Sequence, residues 1–142
     1  MAAISLKKAR TVVRKALEKG RELGLKPLSV IVLDAGGHVL AFEREDGASP
    51  GRFDIARGKA YGAVMLGMGG KAQMARAEQQ AYFMAAMNGA FGGKVVPVPG
   101  GVLVQDNKGA VIGAVGVTGD SSDNDALAAI AGIEAAGFQA EA

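Results

Sequence analysis

Apolar positions along this chain follow two rhythms that alternate from end to end. Near the start, Leu6, Ala9, Val13, Ala16 and Leu17 recur every three to four residues, with lysines and arginines between them. That spacing predicts an amphipathic helix, capped by Ser5 and running to about Gly20 or Gly24, before Lys26-Pro27 stops it. Residues 28–47, LSVIVLDAGGHVLAFEREDG, change rhythm. The arm 28–33 is apolar at every side-chain position but Ser29, Asp34-Ala35-Gly36-Gly37 supplies turn chemistry, and 38–42 forms a second arm. An arm without polar alternation implies a strand covered on both faces, so this hairpin is expected in the middle of a sheet.

The helical rhythm returns over 52–66, where Phe53, Ala56, Ala60, Ala63 and Val64 share a face of small residues suited to close packing. Gly69-Gly70 breaks that helix, and a further one is expected over 72–88 with Gly89 as its stop. Residues 92–101 are too rich in glycine and proline for regular structure, apart from a brief pairing at Val95-Val96. A second hairpin follows at 102–118 and echoes the first: Asp106 falls where Asp34 falls, Gly109 where Gly37 does, and Val111 where Val39 does. Residues 120–125 form a dense N-cap cluster in which Ser122 and Asp125 resemble a capping box. The last helix carries Leu127, Ile130, Ala131 and Ile133 and ends at Gly137. The predicted architecture is a single α+β domain over 1–142. It is an antiparallel sheet of two hairpins, four to five strands in all, flanked by about four helices as a profilin-like sandwich.

Composition narrows the chemistry. At 49% hydrophobic residues, 142 residues can bury a core without crosslinks. The absence of cysteine removes disulfides, thiolate catalysis and Cys-ligated metal sites. A net charge of +2 with interspersed signs, and 5% aromatics, argue against a nucleic-acid partner. No apolar run reaches transmembrane length and none follows the basic N-terminal residues, so the expectation is a cytoplasmic protein with no membrane partner.

His38, the one histidine, stands just after a glycine turn, where it serves either as a partly exposed strand-edge residue or as a haem ligand or general base. Lys59 in the second helix reads either as part of a solvated face or as an anchor for an anionic ligand, or as a Schiff-base amine. Met65, Met68, Met74, Met84 and Met87 are sulfur ligands in principle and core filler by spacing. Gly100-Gly101 could present backbone N–H groups to an anion. The acidic cluster at 120–125 lacks the alternation of an EF-hand loop, and capping explains it better. No dinucleotide fingerprint stands in a strand–helix context.

The run 32–48, VLDAGGHVLAFEREDGA, together with 54–61, DIARGKAY, 99–102, PGGV, and 111–117, VIGAVGV, resembles the GlcG/HbpS family, whose domain also forms the C-terminal part of some PduO proteins. The resemblance covers nearly the whole chain. It implies an antiparallel sheet flanked by helices and assembly into homo-tetramers or homo-octamers. It also implies haem as the cofactor, in a role tied to redox or iron handling. His38 would then be the iron ligand, with Arg44 or Lys59 paired with propionates and Gly100 and Gly101 beside the bound group. The alternative is an enzyme acting on an oxygenated organic acid or aldehyde. There His38 would be the acid/base, Lys59 the anchor for a small anionic molecule, and the Gly100-Gly101 amides the oxyanion donors. Residues 118–122, TGDSS, depart from the pattern of many relatives, and the secretion signal of exported haem-binding members is missing.

Overall fold

The computed structural model describes residues 3–142. Helix α1 (Leu6–Glu22) starts where Ser5 accepts the Lys8 N–H on its hydroxyl at 3.1 Å, and Lys19 and Arg21 in the last turn oppose the negative end of the helix dipole. Strands β1 (Ser29–Asp34) and β2 (Val39–Arg44) follow, then helices α2 (Arg52–Leu66), α3 (Gly70–Gln79) and α4 (Ala81–Ala90). Strands β3 (Gly101–Gln105) and β4 (Val111–Thr118), helix α5 (Ser122–Ala135) and strand β5 (Gln139–Glu141) complete the described chain. The sheet runs in the order β2-β1-β4-β3-β5 with every pairing antiparallel.

Each face of the sheet has its own core. On one side Val12, Val13 and Ala16 of α1 and Ala128, Ala129 and Ile133 of α5 close over Val30, Val32, Val102, Val115 and Val117. On the other, Ala56, Ala60 and Ala63 of α2 lie on Ile31, Leu33, Leu103 and Ala114. The alanines let α2 approach closely, and the sheet answers with glycine. A Cβ on Gly101 or Gly116 would overlap the backbone carbonyl of Lys59 or of Ala56. A third, smaller cluster of Met84, Met87 and Val95 docks α4 against Tyr61 and Leu66 of α2. Among the described residues no helix is long and apolar enough to cross a membrane.

Four local expectations change. The first hairpin is only half internal: β1 is buried throughout its apolar run, whereas β2 is an exposed edge strand. The helix expected over 72–88 is two helices, because Gln80 leaves helical geometry at φ −138°, ψ 64°. No glycine or proline marks that break; Gln73 is buried on one side of it and Met84 and Met87 on the other. The cap of α5 is Ser121, not Ser122, with its hydroxyl accepting the Asn124 N–H at 3.2 Å. Val95-Val96 forms no strand, and β5 at the C-terminal end extends the sheet instead.

Candidate functional site

The β1–β2 turn is built around one carboxylate. Asp34 Oδ1 accepts the N–H of Gly36 and of His38, each at 2.9 Å, and the His38 ring nitrogen Nδ1 lies 3.1 Å from the same oxygen. Gly37 takes φ +84°, which its missing Cβ permits. The His38 N–H foremost, opposed by slight burial and helped by the Gly36 N–H and the imidazole, holds the Asp34 carboxyl below its ordinary range. In the neutral ring, an ionised acceptor at Nδ1 places the proton on that nitrogen and leaves the Nε2 lone pair free. The side chain is 79% exposed, and the turn rests on Tyr61 and Met65 of α2, the nearest side chains to Gly37.

The second hairpin contains the same turn without the imidazole. Asp106 Oδ1 accepts from Lys108 N and Ala110 N, each at 2.9 Å, Gly109 donates to Asp106 O, and Gly109 takes φ +82°. Both strand pairs also shift register at the matching residue, after Val32 and after Val104. Ala110 therefore occupies the place of His38 in an equivalent turn. The backbone needs nothing that an imidazole provides.

Of the other residues singled out by sequence, Met65 lies under the His38 turn and the rest do not gather there. Lys59 is buried, not solvated: Nζ donates to Asp125 Oδ2 at 3.0 Å and to Val117 O at 3.1 Å. Burial pulls its pKa down, Asp125 pulls it back up by charge and hydrogen bond, and the Arg52 charge lowers it further. Val117 pairs with Val30, four residues along β1 from Asp34, so roughly 14 Å of strand separates the lysine from the histidine turn. Gly100 and Gly101 pack against Lys59 itself, which makes them contact glycines in this chain. Arg44 lies at the far end of β2 and lines a groove of about 470 Å³ with Leu17, Arg21 and Glu43. Met84 and Met87 are core residues, and Met74 is exposed.

Sequence reasoning read Asp34 as a turn residue and missed its role at Nδ1, although an aspartate four residues before the histidine was a usable signal. It also missed Asp125, whose partner comes from another layer. In the 120–125 cluster the polar groups serve the helix start. Asp120 accepts from Asn124 Nδ2, Lys26 N and Ser121 N, and these donors, the asparagine first, bring its carboxyl down to about 2. A group more acidic folded than unfolded adds stability above its unfolded value of about 3.8, and that contribution disappears as pH falls through about 2. Asp120→Ala is therefore expected to shrink the loss of stability between these pH values, measured by urea unfolding at each pH.

The family described as "Haem degrading protein HbpS-like" matches residues 4–134. An uncharacterized 15.0 kDa protein of the dhaT-dhaS intergenic region in Citrobacter freundii is 33% identical over 129 residues, which is 91% of this chain and 89% of that protein. Among solved structures, the PduOC:heme complex is similar at a TM-score of 0.87 and 25% identity, over 99% of this chain and all of the other. The structure of HbpS is similar at a TM-score of 0.80 and 29% identity, over 94% of this chain and 90% of the other.

Proposed function

This chain belongs to the HbpS-like family of haem-degrading proteins, and on that premise we propose that it binds haem through Nε2 of His38 within an assembly of identical subunits. One observation carries the reading: His38 is surplus to a turn that Ala110 completes equally well, yet its ring is fixed by Asp34 with Nε2 free. A histidine that gives its second N–H to a carboxylate is the donor arrangement metal-ligating histidines use, because the carboxylate both orients the ring and raises its basicity. The residues present thus fit an iron ligand. When bound, haem would supply the redox-active iron and the apolar macrocycle.

The rest of the pocket is distributed differently from the expectation. Arg44 lies roughly 20 Å along β2 from His38, and the Lys59 ammonium is occupied by Asp125. Neither is placed to pair with propionates of a haem held by His38 of the same chain. Beside the imidazole, Gly36 and Gly37 add no side chain, and Tyr61 and Met65 against Gly37, with the 48%-exposed Val39 next in the chain, give the turn an apolar rim. An open rim of this kind calls for a cover from a second subunit.

Haemin titration followed at the Soret band tests the ligand. Wild type is expected to saturate with a shifted band. His38→Ala is expected to lose it while keeping its unfolding midpoint, since the alanine turn already exists at Ala110. Asp34→Asn weakens binding by about 10–100-fold through the freed ring. A wild-type spectrum unchanged in His38→Ala removes His38 as the ligand.

Self-association has its own support. Helix α4, AYFMAAMNGA, carries no charge, yet Tyr82 is 73% and Phe83 38% exposed. An apolar helix face left in water is a typical interaction surface. Light scattering is expected to give a mass several times 14.3 kDa for wild type and a smaller species for a Tyr82→Glu, Phe83→Glu protein. An unchanged mass in the variant would move the interface elsewhere.

A further inference from the structure

A further cavity lies at the opposite end of the sheet from His38. There the start of α2, the chain leading into β1 and the bend after β4 enclose a cavity of about 230 Å³. Its lining includes Arg52, Lys26, Ser49, Gly47 and Gly119, two cations and no carboxylate. We propose that this cavity binds a small oxyanion, a carboxylate or a phosphate, with Arg52 as its principal ligand.

The case rests on an arginine that is held in place but not neutralised. Arg52 is half-buried, and Nε donates to Ser49 Oγ at 3.1 Å while Nη1 donates to Thr118 Oγ1 at 2.8 Å. Both acceptors are neutral hydroxyls. A guanidinium has five N–H donors, so three remain, on a fork whose orientation two hydrogen bonds already fix. Among the described residues Arg52 forms no ion pair, whereas Arg57, one turn further along α2, has Asp54 at 3.5 Å.

Neighbouring charge makes the deficit larger. Lys59 is near enough for the Arg52 charge to act on its ammonium, and the buried carboxylate beside them, Asp125, is already held by Lys59 Nζ and the Asp120 N–H. Lys26 brings a further positive side chain to the cavity wall. Of the acids nearby, Asp120 points its oxygens at Lys26 N, Ser121 N and the Asn124 amide, Glu45 is taken up by Leu28 N and Arg21, and the exposed Asp46 precedes Gly47 without lining the cavity. Positive charge therefore outweighs negative at a concave, partly desolvated spot, where an oxyanion gains most from a preorganised fork. Size sets the class of ligand. The cavity is below the roughly 300 Å³ at which drug-sized pockets begin, which suits a few-atom anion.

Calorimetric titration of the intact protein at low ionic strength, with inorganic phosphate in one arm and acetate in the other, tests this. One saturable site per chain is expected for at least one anion, and the arm that saturates identifies the chemistry. Arg52→Gln is expected to weaken it about tenfold or more, the loss of one charge-assisted contact, and Lys26→Gln by a smaller factor. Failure of both anions to saturate overturns the proposal, as does unchanged affinity in a folded Arg52→Gln protein. Should loss of the Thr118 bond prevent that variant from folding, Lys26→Gln decides alone, and unchanged affinity there counts against the site. The site is independent of haem binding, so a negative haemin titration leaves it standing.

Discussion

Asp125→Ala is expected to cost about 3–5 kcal/mol of unfolding free energy, the range for stripping one partner from a buried ion pair. The side chains of Lys59 and Asp125 are 4% and 1% exposed. With the carboxylate gone, the buried ammonium keeps one described acceptor, Val117 O. The Asp120 N–H loses its acceptor as well. Two layers are affected together, because Lys59 belongs to α2 and Asp125 to the first turn of α5. Urea unfolding would show a much lower midpoint at unchanged slope. The pair need not be favourable in itself: Lys59→Met with Asp125→Leu is expected to recover most of the loss. A single variant within about 1 kcal/mol of wild type would mean that solvent reaches the pair.

Gly116→Ala is the second large effect, expected at about 3 kcal/mol, the upper part of the usual range for overpacking. Gly116 sits in β4 between Ile31 of β1 and Gly101 of β3. The added methyl would strike the Ala56 carbonyl and lie 3.1 Å from the Ala60 Cβ. Both obstacles are held by helix backbone, so relief requires α2 to lift off the sheet, opening the Ile31–Leu103–Ala114 core. Thermal unfolding followed by circular dichroism would report the loss. By contrast Gly109→Ala, with no atom within 4 Å of the new Cβ, would show only the strain of its positive φ. Equal small losses at both positions would mean that the helix–sheet spacing is soft.

Much of the architecture was legible in the residues because its causes are local. Ser5 caps α1 with a bond three residues away, α2 has the bounds that its small-residue face predicts, and the two hairpins follow from Asp-x-x-Gly turns between β-branched runs. What could not be read was whatever depends on direction in space. The break at Gln80 lies between the buried Gln73 of α3 and the buried Met84 of α4, with no glycine or proline to mark it. The edge position of β2 is set by β4 pairing with the other side of β1.

The candidate site divides the same way. The sequence by itself determined that His38 follows a glycine turn, and it contains the aspartate four residues earlier that orients the ring. It also determined the family, through the run around that turn. Only the tertiary structure decided the fate of Lys59. Its spacing in α2 suits a surface lysine, but the glycine-lined sheet draws the helix close enough to bury the ammonium against a carboxylate 66 residues away. Local pattern specifies which atoms a segment offers, while burial and charge balance depend on what the other layers bring to meet them. That is why the imidazole could be found from sequence and the unneutralised Arg52 could not.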